Sequence, residues 1–224
     1  MDLDELLEGK IFLIDKPINW TSFDVVNKIK WKIKKQFNLK KIKVGHAGTL
    51  DPKATGLLIV CVGKATKQIQ QIQDASKLYS GEIKLGVETP SYDLETEEYN
   101  PKDYNHLQIK DIEDVAKCFI GNSIRQRPPI YSALKKEGKR LYEFARKGIH
   151  IDIPSREISI YDFKITKINL PYVEFFIHCS KGTYIRSLAH DFGQNLAVGG
   201  YLTQLRREKI GNYDVKDSDN SILS

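Results

Sequence analysis

Val173, Phe175, Ile177 and Cys179 recur at strict two-residue spacing, which puts all four on one face of a β-strand. A strand with a single apolar face needs neighbours in a sheet and a layer packed over it. Ile11–Ile14 and residues 158–168 carry further strand patterns, as does the alternation Tyr79, Gly81, Ile83, Leu85, Val87. The unbroken apolar run at 57–62 reads as a strand buried on both faces. Thr21 or Ser22 can N-cap a helix with Val25, Val26, Ile29, Ile33 and Phe37 on one side and lysines on the other. Further helices are expected at 64–74, 111–120, 138–147 and 183–196. Strands joined here by helices and there by hairpins or loops do not form a regular βαβ winding. The order predicts an α+β fold with a mixed, mainly antiparallel sheet flanked by helices. With 224 residues, no internal repeat and no flexible linker, one domain with its core at about 10–211 is expected.

Charge narrows the partners. The net charge is +6, which favours nucleic acid or another polyanion. It is unevenly spread: residues 26–43 hold eight lysines and no acid, whereas 88–114 hold nine acidic residues against Lys102 and Lys110. Residues 121–156 are basic again. Two basic blocks around an acidic one suggest two faces of a polyanion site, with the acidic stretch at 88–106 an exposed loop or insertion. Lysine-rich helices are also common as plain solvated faces. No apolar run approaches the ~18 residues of a membrane span, and the acidic start Asp2-Leu3-Asp4-Glu5 is unlike a secretory signal. Cys61, Cys118 and Cys179 are odd in number and far apart, so no disulfide framework or zinc knuckle is indicated. A cytoplasmic protein, monomeric and without membrane attachment, is expected.

The segment Val44-Gly45-His46-Ala47-Gly48-Thr49-Leu50-Asp51-Pro52 holds one carboxylate, and no other acid lies between it and Asp24. Asp51-Pro52 has two readings: a turn signal, or a single acid acting on a polyanion. Several motifs fail. Gly56 and Gly63-Lys64 are seven apart rather than five, and Ala65 stands where a phosphate loop needs Ser or Thr. The five histidines lack metal-ligand spacing, and no nucleophile elbow or paired-carboxylate site stands out. What remains are aromatic and basic residues interleaved at 126–148, a pattern suited to stacking on bases and pairing with phosphates. Ser180-Lys181-Gly182-Thr183-Tyr184-Ile185-Arg186 passes from strand through a glycine turn into a helix, and Leu205-Arg206-Arg207 follows Gly199-Gly200.

Residues 45–56, 126–148, 179–186 and 205–207, with Asp15-Lys16-Pro17 and Thr21-Ser22, resemble the signature blocks of the bacterial tRNA pseudouridine-55 synthase family (TruB). The resemblance runs in order from about residue 10 to 211. It implies isomerisation of the T-loop uridine at tRNA position 55 to pseudouridine, without cofactor or metal, with the T-arm of tRNA as partner. It implies Asp51 as nucleophile and Tyr79 as the active-site tyrosine. His46, Tyr184 and Leu205 match substrate-contacting positions, Arg186 the arginine that pairs with the aspartate, and Lys181 lies beside them as support.

These roles make physical sense. A uridine buried in a folded loop must be flipped out, at a cost of a few kcal/mol. His46 would fill or hold the vacated space, and Tyr79 offers a ring face and a hydroxyl. Asp51 can attack ribose C1′ or uracil C6, and both routes stay open. Arg186 can hold a carboxylate bidentately. Three departures stand out: Asn19 replaces a glycine, 89–93 follows its block loosely with Thr96 at a glycine position, and the chain ends at Ser224. The last implies that a C-terminal RNA-binding domain is absent or vestigial, leaving the 28–43 and 125–147 lysines and arginines to hold tRNA. Two other classes compete: a non-catalytic RNA-binding or tRNA-folding module, and a DNA- or membrane-surface binder. Asp51, Tyr79 and Arg186 together favour the enzyme.

Overall fold

The computed structural model describes residues 2–132, 134–136, 139–145, 149 and 151–224. In chain order the elements are α1 (Leu3–Gly9), β1 (Lys10–Lys16), α2 (Ser22–Gln36), β2 (Val44–His46), β3 (Ala54–Val62), α3 (Ile69–Asp74), β4 (Lys77–Leu85), α4 (Ile109–Cys118) and β5 (Gly121–Gln126). There follow β6 (Lys135–Lys136), β7 (Lys139–Arg140), α5 (Leu141–Ala145), β8 (Arg156–Asn169), β9 (Tyr172–Cys179), α6 (Ile185–Asn195), β10 (Gly200–Ile210) and β11 (Tyr213–Asp214). They gather into two compact units, one formed by the chain up to Ser80 with Leu205–Ser224, the other by Gly81–Gln204.

In the first unit β3 is the hub. It runs antiparallel to β1 and β2 and parallel to β10, which in turn pairs antiparallel with β11. Its apolar run is buried on both faces, as expected of a strand without alternation. Leu58, Val60 and Val62 face α2, meeting Val25, Val26, Ile29 and Ile33. Leu57, Ile59 and Cys61 face the other way, onto Ala47, Ile72, Ile210 and Val215. Each valine, leucine or isoleucine among them contributes about 1.5–3 kcal/mol by leaving water. The cap of α2 is Thr21: its hydroxyl accepts from Asp24 N (3.0 Å) while the Asp24 carboxylate accepts from Thr21 N (2.8 Å). Ser22 is thereby released to turn inward.

In the second unit β8 pairs antiparallel with β5 and β9. The alternating face of β9 lies inside, and α4 packs on β8 and α6 through Phe119, Phe163, Phe175 and Phe192, with ring centroids 5.6–6.2 Å apart. The expected mixed, mainly antiparallel α+β architecture is what forms.

Four details depart from the pattern. The helix expected at 64–74 divides into a 3₁₀ segment (Gly63–Gln68) and α3. That at 138–147 is α5 over Leu141–Ala145, with residues 138, 146 and 147 outside the described residues. The acidic stretch, expected exposed, is irregular but turns Glu88, Thr89, Ser91 and Asp93 inward, where Asn100 and Gln194 donate to Glu88 (2.8 and 2.7 Å). Carboxylates can be buried there because amide donors replace water. Finally, β2, β5 and β10 form although no clear apolar period marks them, and α1 carries only the short spacing Leu3, Leu6, Leu7.

Candidate active site

The segment around Asp51 is fixed at several points, all in the first unit. Strand β2 sets His46 opposite Val60, and Ala47 N donates to Ile59 O (2.9 Å). Gly48 then turns the chain at φ 97°, a region that disfavours any side chain. The inward hydroxyl of Ser22 accepts from Leu50 N (2.8 Å) and donates to Leu50 O (3.1 Å). Ala54 N donates to Asp51 O (3.0 Å), and Asn19 N donates to Pro52 O (2.8 Å). Asn19 itself sits at φ 66°, a conformation asparagine tolerates, so its replacement of glycine is accommodated. Asp51 is thus held by its neighbours' backbone on both sides.

Buried cations surround this segment. Lys16 is fully enclosed and donates to Pro17 O (2.9 Å) and Trp20 O (2.6 Å). Burial pushes its ammonium down to about 8; Asp51 is the leading charge pulling it back up, and Arg207 pushes it further down. Between about 8 and the ordinary 10.5 the unfolded chain keeps a proton that the folded chain has lost, so this group makes stability rise with pH across that window. Below it, the full cost of burying the charge applies. Lys16→Met is therefore expected to change its stability relative to wild type by about 1–3 kcal/mol between pH 7 and pH 10 in urea unfolding. A difference independent of pH would contradict this.

His46 is held below the usual imidazole range, first by burial and then by Arg207, against a backbone hydrogen bond with Gly48. A neutral ring at physiological pH suits stacking. Leu205 pairs in parallel register with Ala54, three residues beyond Asp51. Tyr79 lies on β4 with its side chain buried. Arg206 grips Asp15 with a bidentate fork (2.9 and 2.7 Å), and Asp15 also accepts from Gly56 N (3.2 Å). These bonds tie β10 and β1 to the start of β3.

The other candidates belong to the second unit. Lys181 lies on the turn after β9, and Tyr184 is the N-cap of α6. Gln126 at the end of β5 brackets Tyr184: its amide donates to Tyr184 O (2.9 Å) and accepts from Tyr184 N (2.8 Å). The Arg156 guanidinium lies 5.0 Å from the Tyr184 ring centroid. Arg186, in the first turn of α6, is buried; it sits 3.6 Å from the buried Asp93 carboxylate and donates to Tyr131 O (2.9 Å) and Ser91 O (3.3 Å). It thus orders the 91–93 loop and the 126–131 segment together.

Asp51, His46, Tyr79 and Leu205 therefore occur in one unit, and Lys181, Tyr184 and Arg186 in the other. Four polar residues carry no assignment from the sequence: Lys16, Asp93, Gln126 and Arg207. Each lies inside a quoted block, but burial is the missing signal. A charged residue that folds inward carries no mark in hydropathy.

Known proteins share the architecture and much of the sequence of this chain. The fold matches a chain of the Cbf5–Nop10–Gar1 complex, at TM-score 0.69 and 32% identity over 94% of this chain and 51% of that one. This chain thus spans about half the length of that protein. Residues 34–185 match the model of the TruB family pseudouridylate synthase N-terminal domain. A tRNA pseudouridine synthase B of Flavobacterium johnsoniae is 52% identical over 97% of this chain and 95% of its own length. Another of that description, from Chloroherpeton thalassium, is 51% identical over 95% of this chain and 87% of its own. The chain belongs to the TruB family of pseudouridylate synthases.

Proposed function

We propose that the protein isomerises a uridine of tRNA, the T-loop uridine at position 55, to pseudouridine, with Asp51 as nucleophile. The carrying observation is near-full-length identity to tRNA pseudouridine synthases B, with Asp51 seated in a loop braced on both flanks. The target base is flipped from its stack into the site. Asp51 attacks either ribose C1′ or uracil C6, the C1′–N1 bond breaks, and the base turns. C1′ then bonds C5, the bond from Asp51 to C1′ or C6 breaks to return the free carboxylate, and the C5 proton is released as N1 gains one. His46, Leu205 and Tyr184 serve as substrate contacts, Tyr79 as ring face and proton partner, and Lys181 and Arg186 as cationic support.

The chemistry gives its own readout, because C5 exchanges its hydrogen for carbon. With transcript tRNA tritiated at uracil C5, one equivalent of tritium per tRNA is expected in solvent, and none when position 55 is cytidine. Binding without release would instead favour a non-catalytic RNA-binding module.

Electrostatics support RNA as partner. Lys30, Lys34, Lys41, Lys43, Lys64 and Lys67 line one groove of the first unit, and Lys64 also meets Glu8 (2.7 Å). Ammonium groups at this density neutralise phosphates and release counterions. Replacing Lys30, Lys34 and Lys67 with glutamine is expected to weaken tRNA binding. The slope of log K against log salt should fall by about 0.7–0.9 for each phosphate that is no longer neutralised. An unchanged slope would remove the groove from the interface.

A further inference from the structure

Arg207 is 1% exposed, and among the described residues each of its three hydrogen-bond acceptors is a main-chain carbonyl. Its Nε donates to Leu57 O (2.8 Å), on the strand after the Asp51 segment. Its Nη2 donates to Gly48 O (2.8 Å) and its Nη1 to Thr49 O (3.4 Å), three and two residues before Asp51 itself. One side chain thus staples both ends of the stretch that carries Asp51.

The backbone is shaped to let it do so. Arg207 pairs with Gly56 where β10 runs beside β3. Gly56 has φ 97°, and a Cβ there would stand 2.3 Å from Arg207 O. Gly48, also at φ 97°, would place a Cβ 3.4 Å from Nη1. Gly56 therefore admits the arginine's main chain, whereas at Gly48 a Cβ would only touch the guanidinium and it is the positive φ that calls for glycine. Burying a guanidinium against neutral carbonyls forgoes a direct ion pair, a costly arrangement for packing alone.

We propose that Arg207 is a positioning residue for the nucleophile, fixing the Asp51 loop through its two-ended guanidinium staple. The inference rests on Asp51 being the nucleophile. Lysine cannot replace the arginine, because a single ammonium head lacks the fork that reaches both ends.

Arg207→Lys is tested by single-turnover rate, tRNA Kd and thermal unfolding, beside Asp51→Asn and the core variant Ile29→Ala. At a temperature where all remain folded, Arg207→Lys is expected to lose about 10²-fold or more in rate, the cost of displacing a reacting group by about 1 Å, with tRNA Kd unchanged. Ile29→Ala should lower Tm while keeping its rate. A folded Arg207→Lys with the wild-type rate, or a Kd that weakens as much as the rate falls, would overturn the staple. Should Arg207→Lys not fold, Gly48→Ala keeps the guanidinium but disturbs its acceptor, and the same two outcomes decide. Turnover by Asp51→Asn would refute the nucleophile itself; an inactive Asp51→Asn beside a fully active Arg207→Lys would refute only the staple.

Discussion

Asparagine at position 51 is expected to lower the rate of pseudouridine formation by about 10⁴-fold or more while the chain still folds and binds tRNA. The amide matches the carboxylate in size but is neutral and a poor nucleophile. Folding should survive because the flanking backbone is held by other groups: Ser22 at Leu50, Asn19 at Pro52, and the 54-to-51 main-chain bond. Binding should survive because, under the proposed function, phosphate contacts fall to cations elsewhere, among them the lysines of the groove. Single-turnover rates with tRNA in one assay and filter-retained tRNA in another separate the two quantities. Loss of both together would mean that Asp51 shapes the loop rather than reacts.

Methionine in place of Arg186 is expected to be the most destabilising of these changes. It would leave the Asp93 carboxylate, 7% exposed at its side chain, without the guanidinium beside it. It would also strip donors from Tyr131 O and Ser91 O. Breaking a buried pair from one side costs about 3–5 kcal/mol, or about 6–20 °C in Tm for a chain of this size. The double variant Arg186→Met/Asp93→Leu should regain a substantial part, since removing both charges leaves no uncompensated ion. Thermal unfolding of the single and double variants decides this. A double variant no better than the single would show that Asp93 is not the source of the loss.

Much of the fold is legible in the sequence because apolar spacing is. β9 alternates, β3 carries an unbroken apolar run at 57–62 and α2 has one apolar side, so the hydropathy of each fixes its element. β10 is hidden for a physical reason: its buried positions do not alternate, and one of them, Arg207, is charged. The acidic stretch misleads in the same way. Glu88 and Asp93 read as solvent-facing until amide and guanidinium partners from α6 account for their burial. Asp51, Tyr184 and Arg186 can be named from their blocks, whereas the groups that hold them cannot. Gln126 and Arg207 act through carbonyls and amides of distant segments, and such partnerships leave no local pattern.

Site-resolved mapping of pseudouridine in a T-arm RNA, with wild type and Asp51→Asn side by side, tests the central claim most directly. Wild type is expected to convert the uridine at position 55 and no other, while Asp51→Asn retains the RNA and leaves that uridine unchanged. Conversion by Asp51→Asn at the wild-type rate, or pseudouridine at a different position, would contradict it.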